Sequence, residues 1–255
     1  MHRTQVVILG LLLVVLCFSI PAAAFVPEEG ELNTKVLAAY RGLKSWQATV
    51  SFDDESGLTA RVWYSAGKWR QEWQVGGGNG TAAAVGVGGK VFASCPGGGA
   101  PLPVLAYWQP PQPVRTWKEL GMDNATAGFG FCDEAPCFIF GAEPGDDVRS
   151  QVRLNNETMA LLFMRLDNAG RPLQFSFGDY ATFKGFEFPG KGTLTFEDGT
   201  TVSFSMIWNE INRAGDPKLY SPDVFSMNHS GKACGMMSPL YRRLRDEFSF
   251  ISASQ

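Results

Sequence analysis

The residues best suited to chemistry in this chain are its histidines, its cysteines and a few adjacent carboxylates. There are 2 histidines, His2 and His229, and 5 cysteines among 255 residues. Acyl-transfer catalysis needs a histidine base held beside its nucleophile, whereas His229 lies in a stretch rich in Ser, Asn and Gly. Zinc sites need clustered His and Cys, and the pair Asp146-Asp147 lies in a turn-like stretch. We therefore expect no enzyme, no catalytic residues, no metal site and no cofactor.

The N-terminus has the pattern of a cleaved secretory signal. Met1 to Gln5 carry one Arg and no acid, Val6 to Ile20 are almost wholly apolar, and Ala22-Ala-Ala24 is a small-residue cleavage site. A transmembrane anchor is one alternative, but the apolar run is shorter than the ~20 residues that a spanning helix needs. A lipoprotein signal ending at Cys17 is another, but a bulky leucine precedes that cysteine. We expect a soluble periplasmic protein that begins at Phe25.

Four cysteines remain after this cleavage, and an even number in an exported chain suggests two disulfides with three possible connectivities. Free buried thiols are the alternative. Cys132 and Cys137 lie at mirror positions on either side of the link Asp133 to Pro136. Antiparallel strands would bring their Cβ atoms within bonding range. We expect these two to pair, which leaves Cys95 to hold the tail through Cys234.

Length and charge restrict the class of protein further. Removing the first 24 of 255 residues leaves 231, which fits one domain of the all-β or barrel-like kind. Without Arg3 the chain has 21 basic and 25 acidic residues, a net charge of −4. No cluster of Lys or Arg stands out before Arg242-Arg243, which disfavours a nucleic-acid partner. A monomer is expected.

The elements that would position any site are mostly strands. In Leu173 to Phe177 apolar and polar residues alternate strictly, which predicts a strand with one buried face. Val202 to Trp208 repeats the pattern, with only Ile207 out of phase, and Asp198-Gly199 favours a tight hairpin link between 193–196 and 200–201. Further patterns predict a helix over 32–43, a strand over 46–52, hairpins over 58–75, 82–95 and 129–140, and a short helix over 241–248.

The sheet so predicted has more large apolar residues than one short helix can cover. They could form an ordinary core, or they could form a concave surface that holds a hydrophobic ligand. The expected lining residues are Trp69, Trp73, Phe177, Phe204 and Trp208.

The order of these elements, together with several short motifs, resembles the periplasmic outer-membrane lipoprotein carrier family, the LolA-like proteins. The motifs are Ser45-Trp-Gln-Ala48, Val62-Trp-Tyr64 with Trp69 to Trp73, the turn Gly88-Gly-Lys90, and Leu219 to Phe225. The resemblance covers residues 31 to 225.

This resemblance implies a mainly β (α+β) fold, an unclosed antiparallel half-barrel with an N-terminal helix and short lid helices or loops over its concave face. The domain would span 25–225, between the signal peptide (1–24) and a C-terminal extension (226–255). The concave face would bind lipoprotein acyl chains or another lipid, passed between a membrane-protein donor and an acceptor. Residues 96–122 would supply the lid segments, with Leu105 and Trp108 contacting the ligand. The turn Ser65 to Lys68 lacks the arginine that ties the carrier lid shut. A sensor of the same fold that binds a regulatory protein is the alternative, and a hydrolase is the next.

The signal peptide leads to a direct prediction. N-terminal sequencing of the exported protein should read Phe-Val-Pro, because cleavage follows Ala24. An acylated Cys17 at the mature N-terminus would contradict it.

Overall fold

The structure is a computed structural model that describes residues 29–78, 80–95, 117–118, 120–123, 126–168, 171–213, 215–228 and 231–253. Its main feature is one antiparallel sheet of 12 strands, in the order β5-β4-β3-β2-β1-β12-β11-β10-β9-β8-β7-β6, which does not close on itself. The predicted mainly β half-barrel is therefore confirmed. The strands are β1 Ser45–Phe52, β2 Thr59–Ser65, β3 Lys68–Gln74, β4 Thr81–Val87, β5 Lys90–Ala93, β6 Ala127–Cys132, β7 Ala135–Phe140, β8 Gln151–Asn155, β9 Leu161–Asn168, β10 Arg171–Phe183, β11 Phe186–Thr195 and β12 Thr201–Ile211.

Each strand turns alternate side chains to two faces of the sheet, as the period of a strand requires. We call the face that carries the large buried cluster the inner face, and the opposite one the outer face. Phe175 and Phe204 are buried on the inner face. Ile207, the residue out of phase in the sequence, is 61% exposed.

The central strands are longer than the alternation predicted. β10 runs to Phe183, and β11 begins at Phe186, passing through Pro189 and Gly192 before the predicted segment over 193–196. Proline and glycine are depleted in strands, which is why the first half of β11 is not recognisable from sequence. The turn between the two strands, Lys184-Gly185, has positive φ at both residues.

Within the described ranges, the helices that accompany the sheet are α1 Glu29–Tyr40, α2 Pro222–Asn228 and α3 Pro239–Ala253. Short 3-10 helices, Pro217–Tyr220 and Gly231–Met236, flank α2. Among the residues described, none of these helices combines the length and the apolar character needed to cross a bilayer.

Both predicted disulfides are present, although the reason given for one of them is wrong. Cys132 and Cys137 are bonded, and their Cα atoms are 5.8 Å apart. They are not mirror partners, however, because the hairpin turns over Asp133-Glu134 alone. Cys132 therefore faces Ala135, and Cys137 faces Gly130. The bond thus joins diagonal neighbours, whose side chains are on the same face.

The tail after β12 crosses from one face of the sheet to the other. It first lies on the outer face, where the buried Arg70 donates from Nη1 to the Leu219 carbonyl over 3.0 Å. Phe225 of α2 then packs against Ala83 and Val85 of β4. Beyond α2, Cys234 is bonded to Cys95, which follows the edge strand β5.

The same tail ends on the inner face. Tyr241, Leu244 and Phe248 of α3 are all buried in the main core cluster. The Tyr241 hydroxyl contacts Cys95 Sγ over 3.9 Å, beside the disulfide. The residues that the sequence analysis set apart as an extension therefore supply part of the core.

The two disulfides should differ in their contribution to stability. Cys95–Cys234 joins residues 139 apart, whereas Cys132–Cys137 joins residues 5 apart. The chain-entropy model gives about 5 kcal/mol for the long loop and about 2 kcal/mol for the short one. We expect a Cys95→Ala/Cys234→Ala variant to lose roughly twice as much unfolding free energy in urea as Cys132→Ala/Cys137→Ala. Equal losses would contradict this ranking.

Candidate functional site

The five predicted lining residues lie on the inner face of the sheet. Trp69, Trp73, Phe177 and Phe204 belong to the main core cluster, with exposed fractions of 1%, 1%, 8% and 4%, and Trp208 packs against that cluster. The strand phases deduced from sequence are therefore correct for these positions. The predicted lid residues, Leu105 and Trp108, lie outside the described residues.

Two glycines make room for the lining rings. Trp69 is paired across β3 and β4 with Gly86, and a Cβ on that glycine would lie 2.1 Å from the indole. Phe204 is paired with Gly192 of β11, where a Cβ would lie 2.3 Å from the ring. Glycine inside a strand marks such a close approach. Both rings therefore lie flat over neighbouring backbone.

A series of six aromatic contacts runs across the sheet from Tyr241 to Phe248, and the helix α3 itself connects its two ends. Tyr241 meets the edge of Trp73 at a centroid separation of 5.5 Å, and Phe248 stacks on Phe175 at 6.1 Å. Between these two ends, rings from β1, β12 and β10 continue the contacts without a break. We call the whole set the α3 ring; its members are Tyr241, Trp73, Phe52, Phe204, Phe177, Phe175 and Phe248.

A second row of rings leads from the sheet to α1. Tyr40 of α1 stacks on Phe186 at 6.5 Å, and Phe188 stacks on Trp208 at 4.0 Å. We call this set the α1 row; its members are Tyr40, Phe186, Phe188, Trp208, Trp46 and Tyr64. Two helices thus cover the inner face, each over its own group of rings.

Sequence reasoning missed the second helix as a cover for this face. The residues that it overlooked are Tyr241 and Phe248, together with Phe188 on the unrecognised half of β11. The spacing of Tyr241, Leu244 and Phe248 along one helical face was a usable signal. No signal in the sequence showed that this face would meet the inner side of the sheet.

Three inner-face indoles differ in how their N–H groups are satisfied. Trp73 Nε1 donates to Gln71 Oε1 over 3.2 Å, and Trp208 Nε1 donates to the Pro189 carbonyl over 2.8 Å. Trp46 is only 3% exposed, and within the described part of the chain its Nε1 has no acceptor. Since buried donors are nearly always paired, Trp46 offers this face a hydrogen bond that no described residue accepts.

α3 also makes a charged contact with the turn between β11 and β12. Arg243 donates from Nη2 to Asp198 Oδ1 over 2.9 Å, and its guanidinium lies 3.7 Å from the centroid of the Phe196 ring. This bond to Arg243, helped by Thr200, holds the pKa of Asp198 well below its usual range. The pKa of Tyr241, on the same helix, is shifted upward instead: burial of its hydroxyl raises it to about 12. Tyr241 is therefore neutral across the physiological range.

The described residues contain no group of three or more His, Cys, Asp or Glu side chains placed to hold a metal ion. The inner face is apolar and aromatic, and within the described ranges two of its buried indole N–H groups, those of Trp46 and Trp117, have no acceptor. A face of this composition is chemically suited to contact with an apolar molecule.

No protein-family model matches this chain, and neither does any curated protein. Solved structures do resemble it. A domain assigned to the outer membrane lipoprotein-sorting proteins, from Vibrio parahaemolyticus, is 9% identical over 76% of this chain and 96% of its own, with a TM-score of 0.48. A LolA superfamily protein from Nitrosomonas europaea is 10% identical over 77% and 99%, with a TM-score of 0.49.

The MucA/MucB complex of Pseudomonas aeruginosa is also similar, at 18% identity over 76% of this chain and 60% of the other, with a TM-score of 0.33. The solved structures similar to this chain thus include a LolA superfamily protein, as the sequence resemblance led us to expect, and each of the three has a TM-score below 0.5.

The Asp198–Arg243 contact makes the attachment of α3 dependent on pH. A carboxyl whose pKa is lowered by folding stabilises the folded state above its ordinary pKa, and this stabilisation is lost as the pH falls. We expect amide hydrogen exchange in α3 to lose protection below about pH 4, the ordinary range of Asp. Asp198→Asn should reduce the protection of the α3 amides at pH 6, and it should make that protection less dependent on pH.

The matched control is Asp179→Asn, which removes an exposed ion pair with Lys191 (2.6 Å) on the β10–β11 hairpin. This control should leave the α3 profile unchanged. Identical profiles for Asp198→Asn and the parent protein would show that the contact does not hold the helix.

Proposed function

We propose that this protein is a periplasmic carrier that binds a lipid-like chain on the inner face of its half-barrel, without catalysis. Acyl chains of lipoproteins in transit to the outer membrane are the ligand favoured by the family resemblance. The observation that carries the proposal is the α3 ring. It is a continuous aromatic surface on four strands, and its cover is a helix at the end of the chain rather than another strand.

The occupied inner face requires that α3 move when the ligand binds. Tyr241, Leu244 and Phe248 fill the space over the rings. Burying a large apolar side chain contributes about 1.5–3 kcal/mol, so docking these three contributes about 5–9 kcal/mol. A saturated chain with about 14 methylenes would contribute about 11 kcal/mol at ~0.8 kcal/mol each. An acyl chain can therefore compete with the helix, before its own ordering costs are subtracted.

The ion pairs between α3 and the sheet would oppose displacement of the helix only weakly. The Arg243–Asp198 pair is partly exposed, and the Arg171–Glu247 pair is 3.9 Å apart. Pairs of this kind contribute about 0–1 kcal/mol. They would orient α3 over the aromatic rings, but they would add little to the free energy that keeps the helix docked.

The free donor of Trp46 suits the same class of ligand. It lies in the α1 row, in contact with Tyr64 and Trp208. An acyl ester or amide has a carbonyl at one end of an apolar chain, and this indole N–H would donate to it if the ligand extended from the α3 ring to beneath α1. The pair of disulfides also fits an oxidising compartment such as the periplasm.

The test is binding of a fluorescent fatty-acyl probe to the full mature protein, with Phe248→Ala as the informative variant. Replacing a buried Phe by Ala removes about 3–5 kcal/mol of packing, here from the docked form of α3. We expect the probe to bind the parent protein, and to bind Phe248→Ala at least about tenfold more tightly.

Phe225→Ala is the matched control. Phe225 is as deeply buried, at 3%, but it packs on the outer face and precedes the Cys95–Cys234 bond, which separates it from α3. Its probe affinity should equal that of the parent. If neither protein binds the probe, and organic extracts of the native protein contain no lipid by mass spectrometry, the inner face is an ordinary core.

A further inference from the structure

One edge of the sheet is left open in a way that the opposite edge is not. Among the strands that the structure describes, β6 is terminal and pairs only with β7. Its residues Ala127 to Cys132 include no charge and no proline, and Phe131 is 72% exposed. A strand of this kind offers unpaired backbone groups and apolar side chains to another chain.

The opposite edge shows how this protein protects a strand. β5 has only four residues and begins with Lys90. The tail passes over it, because Phe92 packs with Phe225 of α2 and the Cys95–Cys234 bond lies directly after it. Shortness, a lysine and a covering segment are the usual devices against unwanted pairing. β6 has none of them among the described residues.

The two faces of β6 are shaped for one partner strand. Phe129 and Phe131 point to the inner side, where Phe129 meets the edge of Phe138 at 5.7 Å. On the outer side are Gly128 and Gly130. A Cβ on Gly128 would lie 2.9 Å from Pro144 Cδ, so this backbone is held close against its neighbours. An added strand would therefore place its own side chains against the two Phe rings.

The charged residues at the ends of β6 indicate which kind of added strand could pair with this edge. Asp133 and Glu134 are exposed at the turn that ends the strand. At the other end, Glu143 is exposed next to Pro144, which packs on Gly128. Acidic side chains thus lie at both ends of an uncharged strand.

The nearby cations do not reverse this balance. Arg153 is paired with Asp147 at 2.6 Å, and Lys35, which lies over the ring of Phe138 on the next strand, is paired with Glu31 at 3.3 Å.

We propose that the free edge of β6 binds an extended segment of a partner protein, in which apolar residues alternate and basic residues stand at both ends. Backbone hydrogen bonds to β6 would supply affinity, as in other strand additions, and the acidic ends would select the charge. A second copy of this chain fits less well. Antiparallel pairing about Gly130 would set Asp133 of one copy opposite Ala127 of the other, beside the acidic end marked by Glu143.

The probe is a fluorescent synthetic peptide in which valine and threonine alternate between pairs of lysines, measured by anisotropy with the full mature protein. We expect binding that weakens with salt. The same peptide with glutamates in place of lysines should bind about tenfold more weakly or not at all. Phe131→Lys, a charge of the kind that blocks an edge, should weaken binding of the lysine peptide about tenfold or more.

Ile207→Lys is the matched control, because Ile207 is 61% exposed on a central strand and the variant carries the same added charge. It should bind as the parent does. Asp133→Asn with Glu134→Gln should raise Kd a few-fold and reduce the salt dependence; Asp133 has a φ of 55°, which Asn tolerates.

Three outcomes would overturn the proposal. One is equal binding of the two peptides, and another is unchanged binding by Phe131→Lys. The third is a concentration-dependent dimer, seen by sedimentation and lost in Phe131→Lys, which would assign the edge to a second copy.

Discussion

The contacts of Tyr241 with Trp73 and of Phe248 with Phe175 are the ones on which the rest of this structure depends. A sheet of 12 strands that does not close exposes one whole apolar face. Water must be excluded from that face, since each large ring left exposed forgoes about 1.5–3 kcal/mol. Among the described residues, α1 covers the part of the face that carries the α1 row, and α3 covers the α3 ring. The return of the chain to its own inner face therefore contributes to the stability of the fold.

The path of the tail after β12 determines how α3 is attached to the sheet. Arg70 fixes the tail on the outer face, and the Cys95–Cys234 bond fixes it again at the β5 edge. α3 is consequently tethered next to its site, whether it is docked or not. A tethered group has a high effective concentration, so a helix displaced by a ligand would dock again quickly when the ligand leaves. The disulfide thus keeps the cover in place without holding the helix itself rigid.

The sequence predicts this fold well where local patterns decide it. Strict alternation identified β10 and β12 with the correct inner residues. Turn residues such as Asp198-Gly199 located the hairpins, but the two-residue link expected there is wrong: the turn spans Glu197 to Gly199, because the Phe196 N–H donates to the Thr200 carbonyl. The sequence predicts poorly where a long-range contact overrides a local preference. Pro189 lies in β11 where the segment pairs with β10 alone, a position that tolerates proline. Gly192 lies where both β10 and β12 pair with the strand, and Phe204 needs the space above it.

The candidate site, like the fold, could be predicted from the sequence only in part. The burial and direction of Trp69 and Trp73 follow from strand phase, which composition and spacing reveal. What covers them does not follow, because α3 reaches these rings only after the tail has passed around an edge of the sheet. That detour also explains why the two edges differ. The tail that covers the inner face necessarily covers β5, and it leaves β6, with Phe131 exposed, at the far side of the sheet.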